Sequence, residues 1–260
     1  MIKKYLEKIY LALIFILLYA PILTLIVLSF NNSKTRAKWG GFTLKWYSSL
    51  FQNEQIMNAL YTTLIISLLA AVIATVIGTA AAMAIHSMKQ KWRTLYSGLT
   101  NIPMMNADII TGVSLFLLFV SFGISQGFTT VVLAHITFCT PYVVLSVMPR
   151  LKKMNQNVYE AALDLGATPF QALCKVILPE IFPGMISGFI LAFTLSIDDF
   201  AVTIFTIGNQ GLETLSTYIY ADARKGGLTP ELRPLSTIIF VTVLVLLIVI
   251  NKRAERTKND

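Results

Sequence analysis

Charge is what this sequence has least of. Only 13% of its 260 residues are Asp, Glu, Lys or Arg, against roughly 25% in an ordinary soluble chain. Residues 9–33, 55–88, 109–149, 181–197 and 234–251 contain none at all. That scarcity excludes a water-soluble domain. Cysteine is nearly as rare: Cys139 falls in an apolar run and Cys174 in a loop, so no disulfide framework is implied. The two histidines, His86 and His135, have no spaced Cys, Asp or Glu companions, and neither reads as a metal ligand. No G-x-x-x-x-G-K-[ST] phosphate loop occurs, so ATP hydrolysis has to come from another chain if it is needed. No H-E-x-x-H is present either, which argues against an intramembrane metalloenzyme.

What the chain has instead is apolar length. Hydrophobic residues make up 55%, and a bilayer span needs about 20 of them in a row. The pattern predicts a single all-α transmembrane domain over 1–260, with spans at about 9–30, 58–85, 95–121, 129–148, 181–206 and 234–251. The stretch SFGISQGFTT divides the third span from the fourth with glycines and hydroxyls suited to a tight turn. The first run is longer than a signal-peptide core and continues into SFNNSK, so it reads as an uncleaved span. Of the 21 Lys and Arg, 14 fall on the side of the two termini and 7 on the other. Positive residues gather in the cytoplasm, which predicts both termini inside. The first outer loop, NNSKTRAKWGGFTLKW, is unusually basic for that assignment. The net charge of +8 lies beside the apolar runs, where it sets topology and meets anionic headgroups. No recognition helix or aromatic RNA-binding motif accompanies it, so nucleic acid is not an expected partner.

The loop over 154–179, MNQNVYEAALDLGATPFQALCKVILP, carries the most information. Val158, Ala161, Ala162 and Leu165 share one helical face. Gly166 then offers a stop residue tolerant of a left-handed turn. Thr168-Pro169-Phe170-Gln171 restarts a helix with a capping-box pattern, and Phe170, Leu173, Cys174 and Ile177 repeat the amphipathic spacing. Pro179 is expected to end that helix just before span five. Two short amphipathic helices cannot cross a bilayer. Periodicity alone leaves open whether they lie in the headgroups or dock a soluble partner.

The residues themselves narrow the choice. Glu160-Ala161-Ala162, Gly166, and Val176-Ile177-Leu178-Pro179 closely resemble the pattern E-A-A-x3-G-x9-I-x-L-P of ABC-importer permeases, with Val176 for Ile the one departure. Six spans, NNSKTRAKWGGFTLKWY after the first, HITFCTPYVVLSVMPRLKKMNQNVYEAALDLGAT and FTLSIDD extend the resemblance to the C-type permeases of spermidine/putrescine importers. The resemblance implies the type I transmembrane domain of maltose and molybdate permeases, with a cytoplasmic coupling-helix elbow, in a bacterial inner membrane. It implies that Glu160, Ala161, Ala162, Gly166, Leu178 and Pro179 couple the chain to an ATPase. ATP and Mg would be bound by that partner and no cofactor by this chain. The implied partners are a second permease subunit, two copies of the cytoplasmic ATPase subunit and a soluble extracytoplasmic polyamine-binding protein. A permease for iron, sulphate, thiamine or another solute is the alternative within the same machine. A stand-alone proton-coupled carrier is the alternative outside it.

Three carboxylates, Asp108, Asp198 and Asp199, fall inside the expected spans, with no Lys or Arg there to pair with them. A carboxylate in lipid costs about 2.5–3.5 kcal/mol on insertion scales. It can be neutral and bonded to hydroxyls, it can relay protons, or it can line a watery path for cationic cargo. An ammonium at about 4 Å returns about 4 kcal/mol at an effective dielectric of about 20, which covers the cost. Dependence on ATP would argue against the relay. The third reading is favoured for Asp108 and at least one of Asp198 and Asp199, with Ser196 and Thr203 on the same polar stripe as Asp199.

Overall fold

A computed structural model describes residues 2–35, 38–209, 211–227, 229–242 and 244. Among them the fold is helical, with one isolated β-bridge between Asn31 and Phe42. Contacts gather the described residues into two compact units, one within 1–57 and 219–260, the other within 58–218.

The first unit contains α1 (Ile2–Ser29), α2 (Lys45–Gln52) and a C-terminal helix α12 (Leu232–Thr242). Residues 9–18 of α1 present large apolar side chains outward, Leu11 and Phe15 among them, as a lipid- or partner-facing helix should. The basic loop after α1 is built around Asn31, which is fully buried. Its side chain donates to the Lys38 carbonyl at 2.9 Å and accepts from Gly40 N at 2.8 Å. Trp46 Nε1 donates to the Asn31 carbonyl at 2.8 Å. Arg233 donates to the carbonyls of Ser33 and Lys34 at 3.1 and 2.6 Å. One of the seven basic residues assigned to the side away from the termini is therefore used to fold that loop. The sixth expected span, 234–251, is described only through its first part; its remainder and the basic tail after it lie outside the described residues.

The second unit holds the rest: α3 (Glu54–Ser87, which begins in the first), α4 (Gln90–Met105), α5 (Asp108–Ser121), α6 (Phe128–Lys153), α7 (Gln156–Asp164), α8 (Pro169–Ala172), α9 (Leu178–Asp198) and α10 (Ala201–Thr206). A further helix, α11 (Leu215–Arg224), leads back toward the first unit. The α6–α9 pair forms the core, with Cys139, Val143, Val147, Ile181 and Ala192 buried along it. Gly184 and Gly188 let the two backbones approach, since a Cβ at Gly188 would lie 3.2 Å from the Val143 Cα. Small residues at such contacts are how helices pack where lipid supplies no hydrophobic drive.

Two expected spans are broken. The third, expected as one helix over 95–121, is α4 and α5 bent by 102° at Asn106–Ala107. The fifth, expected over 181–206, ends as α9 at Asp198 and restarts as α10 at Ala201. Both breaks put a carboxylate at or beside a new helix start, where free N–H groups and the helix dipole favour negative charge. Pro179 does not end a helix. A π-helical turn, Leu173–Ile177, precedes it, and the helical path from Pro169 to Asp198 is continuous.

Candidate functional site

The three aspartates come together. A cavity of about 380 Å³ is lined by Asp108, Asp198 and Asp199, with Phe138, Tyr142 and Thr194 among its other walls and no Lys, Arg or His. Asp108 opens α5 and Asp198 closes α9. Both are exposed, and neither makes an ion pair or side-chain hydrogen bond among the described residues.

Asp199 is different. Its side chain is 7% exposed. Its carboxylate accepts from Val202 N at 3.2 Å, Thr203 N at 2.7 Å and Thr203 Oγ1 at 2.7 Å, so it caps α10. Behind it stands His135 of α6, 1% exposed, whose Nε2 lies 3.5 Å from Asp199 Oδ2. The same ring meets Thr203 Oγ1 at 3.0 Å through Nε2 and Ser196 Oγ at 2.6 Å through Nδ1. Ser196 and Thr203, expected on the cargo path, are buried in this network and do not line the cavity. The polar stripe exists, but it faces a histidine. His135 was the missing partner. It is the one titratable base well inside an apolar run, since His86 sits at the end of α3. A buried acid needing a base could have pointed to it.

The elbow's bend and restart follow the expected local chemistry, and a cap at its first helix adds to them. Asn155 caps α7, accepting from Asn157 N at 3.1 Å. Gly166 takes φ +85°. Its N–H donates to the Leu163 carbonyl at 2.9 Å, and Ala167 N donates to the Ala162 carbonyl at 3.1 Å, the paired bonds of a Schellman stop. Thr168 and Gln171 form the reciprocal box, at 3.0 and 3.3 Å. Glu160, Ala161, Gly166 and Pro179 are exposed, while Ala162 and Leu178 are half-buried. Leu165 is 89% and Phe170 73% exposed, so both amphipathic faces present apolar side chains outward. Glu160 also borders a second cavity of about 630 Å³ with His86, Arg93 and Tyr159. No group of three or more metal-ligating side chains occurs among the described residues.

Residues 74–252 match the family described as binding-protein-dependent transport system inner membrane component. The chain is 40% identical over 248 residues to the spermidine/putrescine transport system permease protein PotC of Escherichia coli K12, covering 95% of this chain and 93% of that one. It is 38% identical over 236 residues to the putrescine transport system permease protein PotI of the same strain, covering 88% and 83%. Among solved structures, it is similar to a bacterial ABC transporter involved in import of the acidic polysaccharide alginate. That match has a TM-score of 0.74 and 14% identity, over 96% of each chain. It also resembles the MetNI methionine ABC transporter, with a TM-score of 0.60 and 20% identity over 83% of this chain and 99% of that one.

Proposed function

This chain belongs to the inner membrane components of binding-protein-dependent transport systems, a multi-pass permease family, and from that premise we propose that it forms half of an ATP-driven import path for polyamines. Cargo arrives from an extracytoplasmic binding protein, a second permease subunit supplies the other half of the path, and two copies of a cytoplasmic ATPase drive it with ATP and Mg. Both termini and the elbow then face the cytoplasm, in line with the 14 to 7 distribution of Lys and Arg.

The observation that carries the cargo is the cavity. Two exposed carboxylates without a basic partner, Asp108 and Asp198, suit an alkyl chain bearing separated ammonium groups, whose methylenes can lie on Phe138 and Leu195. An anion such as sulphate would meet the wrong sign. The relatives named for spermidine and putrescine transport support the same cargo.

Coupling follows from the helix path. Glu160, Ala161, Ala162 and Gly166 form the face offered to the ATPase, with Leu165 and Phe170 as uncovered apolar contacts. From Pro169 the chain runs helically through Leu178 and Pro179 to Asp198. A displacement of the elbow is thereby carried along one rod to a cavity-lining carboxylate. Replacing Asp108 or Asp198 with Asn in the complete importer is expected to reduce uptake of labelled spermidine and putrescine at least about tenfold, the order of one lost charge–charge contact, with subunit assembly unchanged. Full uptake by both variants would remove the cationic path.

A further inference from the structure

We infer that the adjacent aspartates divide the work: Asp198 is the cargo ligand, and Asp199, held by His135 and Thr203, is a positioning residue that aims it. This rests on the reading of the cavity as the cargo path. It departs from a uniform acidic stripe, because it takes Asp199 off the list of cargo contacts and makes His135, buried one helix away, part of the transport machinery.

The geometry supports that division on three counts. First, most acceptor sites of Asp199 are taken. A carboxylate offers about four lone-pair positions, and Val202 N, Thr203 N and Thr203 Oγ1 occupy three at 2.7–3.2 Å, with the His135 ring edge at 3.5 Å. One position remains, on Oδ1, and with the side chain 7% exposed an ammonium meets it far less readily than the open Asp198 carboxylate. Second, the bonds are directional. The single Thr203 hydroxyl hydrogen goes to Asp199, so His135 Nε2 must carry the hydrogen in its 3.0 Å contact with Thr203 Oγ1. Nδ1 faces the Ser196 hydroxyl on the last full turn of α9. The ring therefore spans the break, with one edge on α9 and the other on α10. Third, the main chain at the break is fixed, because Ser216 Oγ donates to the Asp199 carbonyl at 2.7 Å. Asp198 is the residue immediately before this clamped point, and it is exposed to the cavity. With the clamp gone, α9 and α10 lose the link that fixes where the Asp198 carboxylate sits.

The test uses the complete importer and reads maximal uptake per assembled complex, at saturating cargo and binding protein. D198N and D199N are each expected to lose at least about tenfold, and the double variant to fall no more than about twofold below D198N, because a residue acting through Asp198 has nothing left to aim. Losses that multiply, to about a hundredfold in the double variant, would mean that both acids touch cargo and would overturn the inference while leaving the acidic path intact. Uptake unchanged in both D108N and D198N would instead overturn the path itself. H135Q, whose amide reaches the Nε2 position, is expected to keep uptake within about threefold, while H135N, too short to reach it, matches D199N. Equal loss in H135Q and H135N at full assembly would also overturn the inference. If D199N fails to assemble, T203V takes its place in the cycle. It removes the hydroxyl at nearly constant volume and is expected to behave as D199N does, with T203S restoring transport. Normal uptake by T203V would sink the clamp.

Discussion

The two helix breaks in the second unit have the same plan and opposite outcomes. At Asn106–Ala107 the chain turns through 102° and restarts with Asp108. At Asp199–Phe200 it restarts as α10. In each case a carboxylate meets the positive end of a short helix. Asp108 is then left exposed, while Asp199 gathers two backbone N–H groups, a hydroxyl and an imidazole. The helix terminus favours an acid at both places; the neighbours decide whether the acid remains available. His135 and Thr203 supply the full complement at the second break, and among the described residues no basic side chain lines the cavity at the first. An intramembrane acid is therefore not one kind of residue. One is consumed by the fold and another is left open.

The comparison depends on the two short helices holding each other, since α5 and α10 pack through Gly112. A Cβ added there would lie 2.9 Å from the Ala201 carbonyl oxygen and 2.9 Å from a Phe205 ring carbon. The ring could move, but the main-chain carbonyl cannot without shifting α10. Gly112→Val should distort that contact, with overpacking of about 1–3 kcal/mol. It is expected to lower the apparent melting temperature and the yield of assembled importer in detergent. A variant assembling and melting like the parent would show that the helices slide apart freely, and the two breaks would not be one structure.

Much of this was legible in the sequence. The elbow's bend and the cap that restarts it were, because Gly166, Thr168 and Gln171 act on their own neighbours and local chemistry needs no tertiary context. The existence of spans was legible from length and charge alone. The breaks were not, because Asp108 and Asp199 sit inside runs that are apolar on average. Nor was the π-turn before Pro179, which depends on how the elbow joins α9. His135 stands 61 and 68 residues from Ser196 and Thr203, and only packing of α6 on α9 and α10 brings them together. Ser196, Asp199 and Thr203 all meet the His135 ring across the break, and that neighbour could not be read from one helix.

A second measurement sharpens the contrast between the two acids without any transport assay. Asp199→Leu leaves the Thr203 hydroxyl, Thr203 N and Val202 N short of an acceptor in a buried place, and each orphaned group costs about 1–3 kcal/mol. Asp108→Leu and Asp198→Leu orphan nothing. Thermal unfolding of the solubilised importer should show a clear loss for Asp199→Leu and none for the other two. Equal losses in all three would mean that Asp108 and Asp198 are as structural as Asp199, and the cavity would lose its claim to cargo.

The smallest effect concerns a third break, between α7 and α8, where the constraint is conformational instead of steric. Gly166 sits at φ +85° with nothing within 4 Å of where a Cβ would be, so unlike Gly112 it has room and lacks only the freedom. Alanine there costs about 1 kcal/mol of backbone strain, and asparagine, which tolerates the left-handed region, costs less. Uptake should therefore fall a few-fold in Gly166→Ala and less in Gly166→Asn, although asparagine is the larger residue. The order of the two variants is the informative result. If asparagine is the worse, the glycine is there to let the ATPase come close. If alanine is the worse, the glycine is there to turn the chain, and the contact with the ATPase belongs to Glu160, Ala161 and the uncovered Leu165 and Phe170.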